Sequence, residues 1–255
     1  MPVIAESWNH LQDLLFEGSW NAEINRHRAP FAYRGVTDAK AELDTSLMRL
    51  GGPYAELEKH LLRNFRKYAH NLEEQTDNSV WNWLTIAQHH GLPTRLLDWT
   101  YSPLVGLHFA TADLDGFDHD GAIWKVNYHD CVDQLPTRLR RALDDVGGNV
   151  FTVEILASAV TTLEEFDLLS KEDFFIFLDP QSIDARIVNQ FAVFSIASNP
   201  STSLDVLLKQ TAIEAQKIII PKEIKWEVRD RLDQANITER VLFPGLDGLS
   251  AWLKR

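Results

Sequence analysis

Apolar residues recur at intervals of three and four along several stretches of the chain and alternate with polar ones along others. Trp8, Leu11, Leu14 and Leu15 predict an amphipathic helix over about residues 6–17. Tyr54, Leu57, Leu61, Phe65 and Tyr68 repeat the pattern after Pro53, a residue suited to a helix start. A third helix is predicted from Val80 to His90, stopped by Gly91 with Pro93 just beyond. Ser102-Pro103 reads as an N-cap followed by proline at the first helical position, opening a helix through about Thr111. Further helices are expected over Leu135–Leu143, broken by Gly147-Gly148, and over 182–190, with Ile183, Ile187 and Gln190 on one side. A last one carries Ile224, Val228 and Leu232.

Alternation marks the strands. In FAYRG (31–35), Phe31 and Tyr33 point one way and Ala32 and Arg34 the other, with the strand ending at Gly35. Strands are also predicted over Thr94–Thr100, Ala122–Val126, FFIFL (174–178, ended by Asp179-Pro180), FAVFSI (191–196) and KIIIP (217–221). The GFDHDG stretch (116–121) reads as a loop. Helices and strands are interspersed, without repeats or a Pro/Gly/Ser linker. The expected fold is therefore α+β, one domain over 1–255 with its core from about residue 28 and mixed or antiparallel sheets flanked by helices.

Composition supports that reading and narrows the function. With 255 residues, 45% of them hydrophobic and including eight Trp and thirteen Phe, the chain can bury a core without disulfide or metal staples. A net charge of −12 removes the general attraction to phosphate backbones, so nonspecific nucleic-acid binding is not expected. The lone Cys131 allows no intrachain disulfide and fits a reducing compartment. The first residues hold no basic leader or apolar signal core, and no apolar run approaches a membrane span of roughly 18 residues. A cytoplasmic protein with no membrane contact is expected.

Several residues are candidates for chemistry. Arg34, beside Gly35, can present a guanidinium fork to phosphate or carboxylate over backbone that lets a ligand approach; the alternative is a surface arginine on an edge strand. On the strand Thr94–Thr100, Leu96, Asp98 and Thr100 share one face and Arg95, Leu97 and Trp99 the other. Both faces mix apolar and polar groups, so Arg95 or Asp98 is expected to be partly buried and to need a partner. That is either an internal ion pair or a polar pocket at the strand end. Ser102 opens a helix whose free N–H groups suit an anion, or is an ordinary cap.

His89 and His90 end a helix and diverge by about 100°, which makes them poor co-ligands of one metal. No Cys or carboxylate stands at zinc spacing, and no metal is predicted. A nuclease site built on His89, Asp98 and the 118–120 loop is the least favoured reading. His108 reads as a core histidine, and Arg186 and Gln190 project from one helical face. No nucleophile elbow, Walker A loop or dinucleotide glycine fingerprint is present.

The sequence resembles the FRG-domain family, through Tyr33-Arg34-Gly35, "TSLMR" (45–49), "AQHHGLPTRLLDWTYSPLVGLHFATA" (87–112), "ARIVNQFAVFSI" (185–196) and "VLFPGLDGL" (241–249). These blocks run in order over nearly the whole chain. At Phe191-Ala192 the chain departs from the family, which often places a glycine after the glutamine. A weaker resemblance is to ADP-ribosyltransferases: an Arg-Gly strand, then a strand ending in Ser/Thr, then a helix running from Ser102-Pro103-Leu104-Val105 to Phe109-Ala110.

That second resemblance implies an ADP-ribosyltransferase-like fold and NAD as substrate, in ADP-ribosyl transfer or NAD glycohydrolysis. By analogy it also implies a bacterial toxin or defence effector, with an acceptor macromolecule and an antitoxin or regulatory partner. Catalysis would fall to Arg34, Asp98 and Gln190, the last standing where a glutamate is usual. Tyr33, Arg34, Gly35, His89, Arg95, Thr100, Ser102 and Arg186 would hold the nucleotide. The alternative is a non-catalytic nucleotide- or nucleic-acid-binding module built on Arg34, Arg95 and Arg186.

Overall fold

A computed structural model describes residues 2–69, 78–182 and 184–255. Ten strands are present among them: β1 (Val3–Ile4), β2 (Trp20–Asn21), β3 (Arg26–His27), β4 (Phe31–Val36), β5 (Leu96–Thr100), β6 (Gly121–Asn127), β7 (Phe151–Thr152), β8 (Phe175–Asp179), β9 (Ala192–Ala197) and β10 (Ala215–Ile220). β2 and β3 form a small ribbon. The other eight join in one mixed sheet, ordered β1-β10-β6-β4-β5-β9-β8-β7. Only the two edge pairs are parallel. The α+β class holds.

Four helices carry most of the periodic segments: α1 (Trp8–Phe16), α2 (Tyr54–Ala69), α3 (Val80–His89) and α4 (Pro103–Thr111). Ser7, Ser79 and Ser102 cap three of them, each side chain accepting from a backbone N–H inside the first turn. Gly91, at φ +79°, ends the α3 segment as its sequence position suggests. The predicted 182–190 helix is shorter, Ala185–Asn189 with Asp184 as its cap, and Ile183 lies outside the described residues. Among the described residues no helix is long and apolar enough to cross a membrane.

β4 is an interior strand, so Arg34 is not on an edge. The strand continues past the predicted Gly35 end to Val36. β5 is shorter than predicted, beginning at Leu96, so the alternation does not reach Arg95.

The register between β4 and β5 positions the site. β4 pairs with β6 over all six residues, and β5 with β9 over all five, but β4 and β5 share one pair, Tyr33 with Thr100. Beyond that rung the two strands diverge toward Val36 and Leu96. One face of the sheet packs on a continuous core that includes Ala32, Leu97, Trp99, Trp124 and Phe177. The other face carries two separate cores. Tyr33, Leu107 and Ile123 belong to one, over the β4 side; Trp83, Leu96 and Ile196 belong to the other, over the β5 side. The opening between them lies over the split.

Candidate functional site

A cavity of about 520 Å³ opens at this split. Tyr33, Arg34 and Gly35 from β4, Asp98, Trp99 and Thr100 from β5, and Gln88 and His89 from the end of α3 line it. Arg186 and Gln190, from the 185–190 turn and helix, complete one side. Arg34, Asp98 and Gln190 are therefore brought together although the sequence separates them widely.

Segment 37–47 leaves β4, passes the open end of the split and joins the approach to β5. Ala39 N–H donates to Asp120 O (2.7 Å), Leu43 N–H to Asp205 Oδ1 (3.2 Å) and Leu47 N–H to Thr94 O (3.1 Å). The buried Lys225 donates to Thr37 O (2.9 Å) and Gly116 O (2.7 Å), and burial lowers its pKa. The segment and the turn after it add Asp38, Glu42 and Arg49 to the cavity wall.

Arg34 reaches across the split and donates from Nη1 to the Asp98 carbonyl oxygen (2.5 Å), with the Asp98 carboxylate 3.9 Å away. A side chain thus satisfies a strand carbonyl that the diverging ladder leaves unpaired. Its Nε is buried without a hydrogen-bond partner. Burial lowers the Arg34 pKa, Asp98 opposes that effect, and the nearby charge of Arg49 adds to it. Three guanidinium groups, Arg34, Arg49 and Arg186, and three carboxylates, Asp38, Glu42 and Asp98, line the cavity. Their formal charges balance, so an anion here would be held by directed arginine forks and not by a net positive field.

The glycine of the Tyr-Arg-Gly motif has a packing role. A Cβ on Gly35 would stand 2.0 Å from Gly106 O and 2.5 Å from Ala110 N, so the close approach there is made by α4. Sequence reasoning assigned that space to a ligand alone. Tyr33 is wholly buried and donates its hydroxyl to Leu15 O (2.9 Å), fastening α1 to the sheet. Burial raises its pKa.

Thr100, 2% exposed, donates to Gln190 O (2.7 Å) and accepts from Ser102 N–H (3.0 Å). Gln190 donates through Nε2 to Leu242 O (2.9 Å), and Asn189 donates to Val241 O (2.7 Å). The 185–190 segment is thereby clamped to Val241 and Leu242, and the adjoining Phe243 ring lies under the Arg186 guanidinium at 5.1 Å. His89 pairs with Asp184 (2.5 Å) rather than with Asp98.

Two nominated residues stand outside the cavity lining. Arg95, 4% exposed, is bound by Glu58 of α2, with Nη2 to Oε2 at 2.5 Å, and by Asp167. Its buried charge found the partner it needed inside the fold. Ser102 caps α4, its Oγ accepting from Val105 N–H at 3.4 Å. The helix dipole term at α4 is thus met by ordinary capping. His119 pairs with its neighbour Asp118, and among the described residues no group of three His, Cys, Asp or Glu is placed to hold a metal ion.

Arg49, Gln88, Glu42 and Phe109 are cavity residues that sequence reasoning did not assign. Gln88 donates to Asp98 Oδ1 (3.0 Å) and accepts from Thr94 Oγ1 (2.6 Å), which holds the Asp98 carboxylate in place. Arg49 and Gln88 both fall in the blocks that carry the family resemblance, the one signal available for them.

Residues 29–119 match the FRG domain family model. The matched region holds β4, the 37–47 segment, α3, β5 and α4, and so most of the cavity wall. The match does not extend to the 185–196 and 241–249 blocks, so it is narrower than the near-full-length resemblance read from the sequence. Comparison with curated proteins and with solved structures returned no match.

Proposed function

We propose that the cavity at the β4–β5 split binds NAD and that the chain cleaves its nicotinamide–ribose bond, passing ADP-ribose to water or to an acceptor macromolecule. The observation that carries this reading is the convergence of Arg34, Asp98 and Gln190 on one cavity that also holds Arg49 and Arg186. Arginine forks suit a diphosphate, and a volume of about 520 Å³ falls in the range of small-molecule sites. The resemblance to ADP-ribosyltransferases supplies the reaction class, and its weight is that of an analogy.

In this reaction the C1–N bond of the nicotinamide ribose breaks and its electron pair leaves with nicotinamide. The oxocarbenium-like ribose is captured by the nucleophile, which loses its proton. Arg34 and Arg49 hold the phosphates, and a carboxylate balances the positive charge that develops on the ribose. Asp98, steadied by Gln88, is the carboxylate assigned this part. Gln190 contributes hydrogen bonding only, because its amide is neutral, and one of its two N–H bonds is committed to Leu242 O.

That commitment also favours a second reading, in which the same cavity binds a nucleotide without turning it over. Incubation with NAD labelled in the nicotinamide separates the two. Release by the wild-type chain, lost in Arg34→Ala, supports the enzyme. An NAD-dependent thermal shift without release, lost in the same variant, supports the binding module. Neither release nor shift refutes both.

A further inference from the structure

A second, open cavity of about 450 Å³ lies at the end of the sheet opposite to the β4–β5 split. Tyr101 follows β5, Tyr128 follows β6 and Asp179 closes β8, and all three line it together with His129. None of its lining residues belongs to the first cavity.

Its wall is aromatic and anchored. The Tyr101 and Tyr128 ring centroids stand 5.6 Å apart with the planes at 72°, and Tyr128 meets the His129 ring edge-on at 4.9 Å. Tyr101 N–H donates to Phe191 O (3.0 Å) and Tyr128 N–H to Pro30 O (3.0 Å), which fixes both residues at the backbone. The Tyr101 hydroxyl donates to Asp179 Oδ1 (2.7 Å), so a carboxylate stands against the aromatic wall. Asp179 is half-buried, and among the described residues it has no basic partner; no Lys or Arg lines the cavity. Burial raises its pKa, and the Tyr101 hydrogen bond opposes that effect. Burial lowers the His129 pKa, with Asp130 opposing, so near neutral pH the imidazole brings no charge to repel a cation.

We propose that this cavity binds an alkylated ammonium cation, its charge meeting Asp179 and its methyl groups lying against the Tyr101 and Tyr128 rings. Carboxylate and ring face both attract positive charge, and steeply angled rings form a corner that suits a bulky, weakly hydrated cation. A metal ion fits poorly. It needs several oxygen ligands, and among the described residues no group of three His, Cys, Asp or Glu is placed to hold one. The recognised chemistry is the same whether the headgroup belongs to a small amine such as choline or to a trimethylated lysine side chain.

Proton NMR titration of the wild-type chain with choline, with dimethylbutanol as its uncharged carbon isostere, and with acetyl-trimethyllysine methylamide tests the site. Saturable binding of a cation is expected, with its N-methyl resonance moved upfield by the tyrosine ring currents and the isostere bound about tenfold more weakly or not at all. Tighter binding of choline assigns the site to a small amine, and tighter binding of the lysine derivative to a protein side chain. Asp179→Asn and Tyr128→Leu are each expected to weaken cation binding about tenfold. Tyr128→Leu keeps an apolar contact for Phe177, so it carries the test should Asp179→Asn fail to fold in thermal melts. Equal affinity for the isostere, wild-type affinity in either folded variant, or no binding of either cation overturns the proposal.

Discussion

Gly35 and Gly106 meet backbone to backbone, with only hydrogen where a Cβ of Gly35 would lie 2.0 Å from the Gly106 carbonyl oxygen. The reverse position is more forgiving, since a Cβ on Gly106 would stand 2.7 Å from Ile123 Cδ1, the free end of a side chain. Gly35→Ala must push α4 from β4, because carbonyl and amide atoms cannot rotate away as a side chain can. Overpacking of this kind costs about 1–3 kcal/mol, and the upper part of that range is expected here. Urea denaturation reads the change, and an unaltered midpoint would contradict so close a contact.

Arg95 sets up a second stability test. Glu58 is 3% exposed and receives the Arg95 guanidinium. Arg95→Met strands a buried carboxylate and is expected to cost about 3–5 kcal/mol. The double variant Arg95→Met/Glu58→Met removes the orphaned charge and should recover much of that loss. A double variant no more stable than Arg95→Met alone would show that the pair is not the source of the penalty.

His108 gives the fold an acid-sensitive element. Burial chiefly, and the charge of Arg229 donating to its Nδ1 (3.1 Å), push its pKa down to about 3, with Arg255 adding to the effect and Asp233 opposing it. Unfolded histidine titrates near about 6.5. Between these values the unfolded chain takes up a proton that the folded chain refuses, so stability falls as pH drops through that window. The contribution approaches about 1.4 kcal/mol per pH unit and vanishes above the unfolded pKa. Thermal melts from pH 7 to pH 4 should show the slope, and His108→Gln, though less stable at neutral pH, should show a shallower one.

Gln190→Glu tests whether a second carboxylate at this position would serve the proposed reaction. The change replaces the N–H donor to Leu242 O with a second acceptor, in a residue 9% exposed. A loss of about 1–3 kcal/mol follows from the unsatisfied pairing. A variant as stable as wild type, with faster nicotinamide release, would show that the amide's structural bond is dispensable.

α1 was legible because one face of it is buried, at Leu11 and Leu15, whereas α3, buried over every residue from Trp81 to Ala87, was legible from its stop at Gly91 and Pro93. Ser102-Pro103 was legible because capping is local chemistry. A partly buried charge was anticipated at Arg95 or Asp98 and proves to be Arg95, but its partners Glu58 and Asp167 lie 37 and 72 residues away, beyond the reach of any local pattern. Arg49 stayed hidden for a related reason. It has no periodicity of its own and joins the cavity only because segment 37–47 crosses the split. The departure at Phe191 was visible as a missing glycine, and its left-handed backbone gives that departure a physical meaning.

The lone Tyr33–Thr100 rung divides the labour of the molecule. On one face each half of the sheet has its own core, while the core on the other face runs continuously under both and holds them together. The width and chemistry of the gap are then set by a few side chains and by the crossing segment. Substitutions there can retune what is admitted while both halves remain intact. The shared core fixes the two halves against each other, and the gap above it is left to the side chains that line it.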